Sequence, residues 1–521
     1  MTERSTLRLG AEHIEAFFQA SRDANPLHRD TSYARRTPFG RPVAYGMAAV
    51  LRALALHMPA GRHRIAALRC EFRKPLFIDT DYELRSTDDG NQQRLRIGRG
   101  GIDYTIIALN TREWDGSYAG TPLAHLPAAP FLPPEHPATP TGHPAASAPP
   151  PVFEARLVAA MEPLCAARPV HYSIAPGAWA SLLLAFDLDA ERLPAQQLAA
   201  LLWMSYHVGM EMPGRQALFA DAQVEFSQPT TPAAALSLDL QEAVVDDRFN
   251  RFALLATGTG IERLRLSAFR RPWPVVPSLS MADPWQGSQP LRGQRVLVTG
   301  AARGFGAAMA LVSARAGAQV ILHHRGATSE VEDIVQRIRD IGGQAMAVGA
   351  DLENSTAVER LGQELQPLGP LDFIISNAAP AIADARLVEQ SDEDILAFTH
   401  RNLAITLTTV RRLLPHLHRG GQFVHISTCY LSVPVPGFTH YLAAKGAQEG
   451  LIQALAQEAR ELQFVIARLP RMLTDQTNAP FSTGRLASPI QVACALIAQL
   501  VLPSQARPRL LEIADAQGHP G

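Results

Sequence analysis

Cysteine is scarce in this chain, long apolar runs are missing, and neither sign of charge is in excess. Four cysteines (Cys70, Cys165, Cys429 and Cys494) are scattered through 521 residues, and none stands in a Cys-x-x-Cys pair. That spacing supplies neither a zinc site nor a disulfide framework, so no metal is expected, and a reducing, cytoplasmic setting is. No stretch is apolar for long enough to span a bilayer, and Met1-Thr2-Glu3-Arg4 leads into a mixed segment rather than an apolar signal core. No membrane association is therefore expected. Lys and Arg total 48 against 49 Asp and Glu, a net charge of −1. A chain without a basic surplus has no electrostatic footprint for nucleic acid.

Proline is plentiful and divides the chain. Residues 121–151 hold Pro122, Pro127, Pro130, Pro133, Pro134, Pro137, Pro140, Pro144, Pro149, Pro150 and Pro151. Such a stretch cannot donate regular backbone hydrogen bonds and is expected to be an extended linker. A second break begins at Arg271-Pro272-Trp273-Pro274 and runs to Pro290. Five parts are expected: a domain over 1–120, the linker 121–151, a domain over 152–277, a linker over 278–292 and a domain over 293–521.

The first two domains share a pattern. Met58-Pro59 recurs as Met212-Pro213, Glu71-Phe72 as Glu225-Phe226, and Pro75 as Pro229, all at one offset. In each copy an apolar helical stretch (Met47 to His57; Leu198 to Met210) precedes the Met-Pro. Alternating runs such as Tyr82-Glu83-Leu84 and Leu236-Ser237-Leu238 follow it. One long helix followed by antiparallel strands is the order of a hotdog unit, so an α+β double hotdog is expected. The third domain alternates strand and helix: Arg295-Val296-Leu297-Val298, Gln319-Val320-Ile321-Leu322, Ala345-Met346-Ala347-Val348 and Phe373-Ile374-Ile375 read as strands. That alternation predicts an α/β Rossmann domain, a doubly wound parallel sheet.

Near the N-terminus stands Ser21-Arg22-Asp23-Ala24-Asn25-Pro26-Leu27-His28-Arg29-Asp30, followed by Tyr33-Ala34, Pro38-Phe39-Gly40 and Ala44-Tyr45-Gly46-Met47. Removing water from a 3-hydroxyacyl thioester needs one group to take the proton next to the carbonyl and another to protonate the departing hydroxyl. A carboxylate and an imidazole can share that work, and a helix N-terminus can receive the charge that develops on the thioester oxygen. The string resembles the R-specific enoyl-CoA hydratase family, the MaoC-like hydratase 2 group, over most of residues 10–120. The resemblance implies that Asp23 and His28 form the catalytic pair and that Gly46 helps hold the thioester oxygen. The family usually has His before that glycine, where this chain has Tyr45. Under the repeat offset, Asp23 and His28 correspond to Gly177 and Leu182, which cannot move protons, so the second copy is expected to support the acyl pocket without catalysis. His207 there is expected to be a core or interface residue.

A second set of motifs lies in the third domain. Thr299-Gly300-Ala301-Ala302-Arg303-Gly304-Phe305-Gly306 follows a strand and opens a helix, the context in which a backbone can approach a pyrophosphate. Asp351, Asn377-Ala378-Ala379, Asn402 (with Leu403 and Leu407 on the apolar side of its helix), His425-Ile426-Ser427-Thr428 and Tyr441-x-x-x-Lys445 follow in order. One helical turn brings Lys445 near Tyr441, and an ammonium beside a phenol favours phenolate. The set resembles the short-chain dehydrogenase/reductase family over nearly all of residues 293–521. The resemblance implies Tyr441 as the acid, Lys445 as its partner and ribose ligand, and Asn402 as holder of a relay water. The family serine falls at Thr428 by spacing, with Ser427 as the alternative. Gly300, Arg303, Gly304, Phe305, Gly306, Asp351, Asn377, Ala378 and Pro470 are expected to line the cofactor site with Tyr441 and Lys445. The second strand ends in His323-His324-Arg325 with no acid, so Arg325 and Arg303 are available to a 2′-phosphate and NADPH is the expected cofactor. The family's Pro-Gly appears here as Pro470-Arg471, and Thr474 to Arg485 makes a short cover for the substrate.

Both families commonly handle the R alcohol. The sequence therefore predicts NADPH-dependent reduction of a 3-oxoacyl thioester, then dehydration to a trans-2-enoyl thioester, in fatty-acid-like or polyketide-like biosynthesis. The substrate would ride on acyl carrier protein or coenzyme A, and a homodimer or larger assembly would form through the reductase domain. Two other readings stand beside it: hydration followed by oxidation in acyl breakdown, and a reductase alone with the hotdog region as a binding or dimerisation module.

Overall fold

A computed structural model describes residues 2–58, 63–90, 92–113, 168–174, 176–188, 193–227, 235–246, 248–279, 285, 287–326, 328–479 and 486–514. The expected proline-rich linker 121–151 lies outside the described residues, as do Pro59, Pro229 and part of the expected 474–485 cover. The chain forms two compact units, residues 1–273 with 479–481 and residues 274–478 with 482–521.

The first unit holds β1 (Thr2–Leu7), α1 (Ala11–Ser21), α2 (Thr31–Ala34), α3 (Gly46–His57), β2 (His63–Phe72), β3 (Tyr82–Asp88), β4 (Gln93–Arg99) and β5 (Ile102–Glu113). It continues with β6 (Arg168–Ser173), α4 (Pro176–Phe186), α5 (Ala195–Tyr206), β7 (Ala217–Phe226), β8 (Ala235–Asp246), β9 (Arg251–Gly258) and β10 (Ile261–Arg270). All ten strands join one sheet in the order β1-β3-β4-β5-β2-β7-β10-β9-β8-β6. Read outward from the middle, each half runs through the same sequence of counterpart strands. At the centre β2 pairs antiparallel with β7, and Arg69 faces Gln223. Under the offset that relates Glu71-Phe72 to Glu225-Phe226, those two residues are each other's counterparts, so a pseudo-two-fold axis passes between them. This is a double hotdog. The alternating strands turn residues such as Leu84, Leu95, Leu238 and Leu254 inward against α3 and α5, and one apolar core serves both halves. Helix α5 is buried along its whole length from Gln196 to Tyr206, which is why its sequence is apolar on every side.

The second unit holds β11 (Arg295–Val298), α6 (Gly304–Arg315), β12 (Gln319–His324), α7 (Thr328–Asp340), β13 (Gln344–Gly349), α8 (Ser355–Leu365), β14 (Leu371–Ser376), α9 (Asp392–Leu413), β15 (Leu417–Thr428), α10 (Thr439–Glu458), β16 (Gln463–Leu469), α11 (Pro489–Leu500) and β17 (Arg509–Glu512). The sheet order is β13-β12-β11-β14-β15-β16-β17. Every pair is parallel. Helices α6, α7 and α11 pack on one face, and α8, α9 and α10 on the other. The order reverses between β11 and β14, where a doubly wound sheet leaves its ligand crevice at the carboxyl ends of the strands. Among the described residues, no helix is long and apolar enough to cross a membrane.

Candidate active sites

The N-terminal site is made by a chain that stops, turns and restarts. Helix α1 ends at Ser21, and Arg22 adopts a left-handed conformation (φ 60°) that turns the backbone inward. The Asn25 side chain then accepts from the Leu27 amide (3.1 Å) at the head of a short turn over Pro26–His28, where proline's fixed φ suits the first position. Asp30 caps α2 by accepting from the Ser32 amide (2.8 Å) and the Tyr33 amide (3.1 Å). These local bonds explain the density of the string and place Asp23 and His28 at one end of α3, beside Tyr45.

Asp23 is buried. Its Oδ1 accepts from the Asn25 amide (3.1 Å), and its Oδ2 accepts from the Ser205 hydroxyl (2.7 Å). Burial pushes the carboxyl up to about 7, against the opposing pull of those two donors. His28 donates from Nδ1 to the Val43 carbonyl (2.8 Å), since a carbonyl only accepts, which leaves Nε2 with its lone pair. Burial first, and the Arg271 cation third, push the imidazole down to about 4 despite that bond. At neutral pH the site therefore pairs a neutral imidazole base with a carboxyl poised between its acid and anion forms.

Tyr45 stands where the resemblance places histidine. Its ring stacks on His28, with centroids 3.8 Å apart, and its hydroxyl donates to the Asp23 carbonyl (2.6 Å). It thus holds both members of the pair. Gly46 opens α3, and no side chain caps that end of the helix. The first-turn N–H groups therefore meet no capping oxygen from Tyr45.

The second half contributes residues that no local motif announces. Ser205 lies on α5, and a Cβ at Gly209 would collide with the Asp23 carboxylate. Asn25 Nδ2 reaches the Gly209 carbonyl (3.5 Å) and the Gly214 carbonyl (3.4 Å), and Tyr33 donates to the Arg215 carbonyl (2.7 Å). The second half thus buttresses the segment that carries Asp23. Gly177 and Leu182 lie on α4, the counterpart of α1, so the uniform offset slips before the strands begin. His207 is fully buried between Trp203 (ring centroids 4.9 Å apart) and Glu211 (3.0 Å).

In the second unit, Gly300 has φ +65°, and a Cβ there would lie 3.0 Å from the Ala378 Cα. The loop backbone thus runs against β14's end, leaving a cradle before α6, whose N-cap Arg303 supplies no side-chain cap. Asn377 Nδ2 donates to the Thr299 carbonyl (3.1 Å) and the Gly300 carbonyl (3.2 Å), and the Asn377 and Ala378 amides donate to the Thr299 hydroxyl (2.9 and 3.0 Å). His323, expected only to mark cofactor choice, pins this loop. Its Nδ1 accepts from the Gly300 amide (3.3 Å), and its Nε2 donates to the Ala350 carbonyl (2.9 Å). Burial pushes it down to about 4, as that bonding pattern requires of a neutral ring. Phe305 is buried within α6, and Pro470 is buried just past the end of β16. Arg325 pairs with Glu353 (3.3 Å), which Arg401 also grips through two nitrogens (2.8 and 3.0 Å). Asp351 is exposed, and its Oδ1 accepts from the Glu353 amide (3.1 Å).

Thr428 and Ser427 point to different partners. Thr428 Oγ1 accepts from the Tyr430 amide (3.2 Å) and acts on the Tyr441 hydroxyl, opposing its upward shift. The Ser427 hydroxyl donates to Glu449 (2.6 Å), whose carboxylate also pairs with Arg468 (2.7 Å). Lys445 donates from Nζ to the Ile426 carbonyl (2.8 Å), and burial pushes its ammonium down to about 8. The expectation that the ammonium lowers the phenol is corrected here. Burial raises the Tyr441 hydroxyl above its ordinary value, and the opposing influence is the Thr428 side chain. Asn402 is buried, with Nδ2 donating to the Phe398 carbonyl (2.8 Å). Its own carbonyl accepts from Gln448 Nε2 (3.0 Å). Leu407, expected on an apolar side, is 40% exposed, and the buried face of α9 runs through Asn402, Ile405 and Thr409.

Residues 294–478 match the family described as short chain dehydrogenase, and residues 2–108 match the MaoC like domain. A hydroxynaphthalene reductase of Aspergillus fumigatus is 34% identical over 170 residues, 32% of this chain and 62% of that protein, so the chain spans less than two thirds of that relative. A hydroxynaphthalene reductase-like protein of Metarhizium anisopliae is 30% identical over 188 residues, 36% of this chain and 70% of that protein. Among solved structures, a short chain dehydrogenase from Burkholderia cenocepacia in complex with NADP is 27% identical, covering 44% of this chain and 99% of that one with a TM-score of 0.40. A dehydrogenase/reductase from Sinorhizobium meliloti is 29% identical, covering 42% of this chain and 93% of that one with a TM-score of 0.39.

Proposed function

We propose that this chain, which belongs to the short-chain dehydrogenase family and carries a MaoC-like domain ahead of its reductase domain, performs two consecutive steps on one acyl thioester. The reductase domain would reduce a 3-oxoacyl group with NADPH, and the double hotdog would dehydrate the resulting (R)-3-hydroxyacyl group to the trans-2-enoyl thioester. The observation that carries the reading is the placing of Asp23 and His28 about Tyr45, whose ring stacks on His28 (3.8 Å) and whose hydroxyl donates to the Asp23 carbonyl (2.6 Å), with burial pushing the carboxyl up and the imidazole down. Such a pair suits an acid and a base that must each act once.

The cradle at Gly300, where a side chain would strike Ala378, would suit the pyrophosphate of a nicotinamide dinucleotide. NADPH would supply the hydride. Gly300, Arg303, Gly304, Phe305 and Gly306 would hold the pyrophosphate at the head of α6, with Asp351, Asn377, Ala378 and Pro470 lining the rest and Lys445 on the ribose. Tyr441 would give its proton to the carbonyl oxygen, which Thr428 would hold in place. In the hotdog, His28 Nε2 would take the proton next to the thioester carbonyl while Asp23 gives its proton to the leaving hydroxyl. The uncapped start of α3 at Gly46 would receive the charge on the thioester oxygen. Acyl carrier protein or coenzyme A would bear the substrate. The exposed Leu396 and Leu407 on α9 support pairing of two copies through the reductase domain.

The test is a mass-resolved assay of a short 3-oxoacyl thioester on each carrier, with NADPH and NADH compared. Formation of the enoyl product supports the reading. Turnover of a hydroxynaphthalene, the compound class in the relatives' names, with none of any thioester would overturn it.

Dehydration should follow the Asp23 proton. The carboxyl pKa is raised to about 7, so the acid form is present below that pH and lost above it. In the dehydration direction kcat/KM should hold a plateau between the His28 and Asp23 values, about 4 and about 7, and fall about tenfold per unit above it. Hydration, run in reverse, starts from the Asp23 carboxylate and the His28 imidazolium, which together carry the same number of protons, so its kcat/KM should hold the same plateau. A dehydration rate still rising through about pH 9 would contradict the assignment.

Glu353 should set the margin of cofactor choice. It occupies Arg325, which a 2′-phosphate would otherwise take. Glu353→Gln should lower KM for NADPH several-fold, and Arg325→Ala should cut the NADPH/NADH ratio of kcat/KM by about tenfold, the scale of one charge-assisted contact. An unchanged ratio in both variants would remove Arg325 from the 2′-phosphate site.

A further inference from the structure

Arg271 is a buried cation of the hotdog unit with no acid to balance it. It is 3% exposed, and among the described residues no carboxylate pairs with it and its Nε has no partner. Taking a guanidinium out of water without a counter-charge is costly, and a charge so placed is little screened. Such a residue needs a physical reason, and its hydrogen bonds supply one. The turn Gly214–Gln216 stands just before β7, and Arg271 stands just after β10. Arg270 pairs with Ala217 at the end of that ladder, and the Arg271 amide extends it by one bond, to the Gln216 carbonyl (2.8 Å). Arg271 Nη2 donates to the Arg215 carbonyl (3.0 Å) and to the Tyr33 hydroxyl (3.1 Å). Tyr33 donates in turn to the same Arg215 carbonyl (2.7 Å), whose two lone pairs accommodate both donors. The three groups close a ring of hydrogen bonds.

One carbonyl earlier in that turn, Gly214 accepts from Asn25 Nδ2 (3.4 Å). The catalytic segment is thus tied to one turn of the second half at two points, Asn25 and Tyr33, on either side of His28. Apolar packing alone holds this segment weakly. Leu27, Ala34 and Val43, with Tyr33 packed against them, form a small cluster separate from the main core. Within the segment the backbone bonds overlap. The His28 amide donates to the Asn25 carbonyl (3.2 Å), the Asp30 amide to the Pro26 carbonyl (2.8 Å) and the Ala34 amide to the Asp30 carbonyl (2.9 Å). A displacement of Tyr33 is therefore passed along these turns to His28.

We propose that Arg271 is a positioning residue of the dehydratase, locking Tyr33, and with it the His28 segment, onto the turn Gly214–Gln216 of the second half. The inference rests on the dehydratase reading above. Arg271 acts through Tyr33, and its charge has a second effect. Around His28 stand Tyr45, stacked on its ring, Asp23, whose carbonyl Tyr45 holds, and Arg29, next in the chain and paired with Glu15 of α1 (2.8 Å). Arg271 is the charge that acts on the imidazole, and it opposes protonation of the ring. After burial, this cation helps to keep the base neutral down to about 4.

The experiment uses the full chain, assayed first for dehydration of an (R)-3-hydroxyacyl thioester. An inactive wild-type protein would defeat the dehydratase reading itself, before any variant is made. In an active one, Arg271→Met should lower kcat of dehydration about 10- to 100-fold with KM for the thioester unchanged, the scale on which a small misplacement of a catalytic group is felt. The acid limb of its kcat/KM profile, at about 4 in the wild-type chain, should move up toward the ordinary histidine value, because removing a cation favours the imidazolium. Arg271→Lys keeps the charge but not the fork, so its acid limb should stay where it is while kcat recovers only in part. Tyr33→Phe keeps the charge and loses the hydroxyl, so it should lower kcat without moving the limb. Reduction should be unaffected in all three. Wild-type kcat in the methionine variant would overturn the proposal, as would an unmoved acid limb there. A raised KM with unchanged kcat would make Arg271 a ligand for the substrate and overturn it as well. If the methionine variant does not fold, the lysine and Tyr33→Phe variants decide, and wild-type kcat in either overturns the proposal.

Discussion

Asp23→Asn should stop dehydration and leave reduction intact. The amide keeps the size of the side chain beside Gly209; its one oxygen can accept from the Asn25 amide while its NH2 donates to the Ser205 hydroxyl, which can turn to accept. What is lost is the acid proton. A carboxyl pushed up to about 7 by burial is a competent donor at neutral pH, and an amide is not. The expected loss is about 100- to 10,000-fold in kcat for dehydration, the usual worth of a positioned acid or base. The wild-type chain should turn a 3-oxoacyl thioester into the enoyl product, and the variant should accumulate the 3-hydroxy intermediate. Mass analysis of the product distinguishes the two. Unchanged dehydration would make the hotdog region a binding or dimerisation module. Ser205→Ala should act in the same direction but more weakly, since it removes one buried hydrogen bond, about 1.5–3 kcal/mol where one partner carries charge.

Asp23 and Ser205 differ in how legible they are from sequence. The Asp23 string is dense because each of its residues serves the local backbone. Asn25 caps the turn before His28, Asp30 caps α2, and Pro26 suits its helical position. Local roles leave local patterns. Ser205 and Gly209 have none, because they meet Asp23 only when α5 packs beside the other half. Their partner lies far off in the chain, and a serine and a glycine on an apolar helix carry no mark of it. The repeat itself is visible where strands fix the spacing, at Glu71-Phe72 and Glu225-Phe226. It slips at Gly177 and Leu182, where the connection between helices differs in length. In the Rossmann domain the strand runs at 295–298 and 319–322 fall within β11 and β12 because buried parallel strands read as unbroken apolar runs. The charge balance there is hidden. The spacing of Tyr441 and Lys445 says nothing of how deeply each is buried, and burial reverses the expected direction of the phenol's shift.

Tyr441→Phe is the complementary experiment. The ring should stay in place, since Phe438 packs against it (centroids 6.3 Å apart) and the substitution removes only the hydroxyl. Reduction should fall by about 100- to 10,000-fold, the usual worth of a positioned acid. Dehydration of added (R)-3-hydroxyacyl thioester should continue at the wild-type rate. Each variant then keeps the step that the other lacks. Mixed together, Asp23→Asn and Tyr441→Phe should restore the enoyl product through free intermediate. If the fusion raises the local concentration of that intermediate, the mixture should show a lag that the wild-type chain does not, and the lag should shorten as protein concentration rises. Equal time courses for the mixture and the wild-type chain would mean that fusion coordinates the supply of the two activities and not the passage of the intermediate.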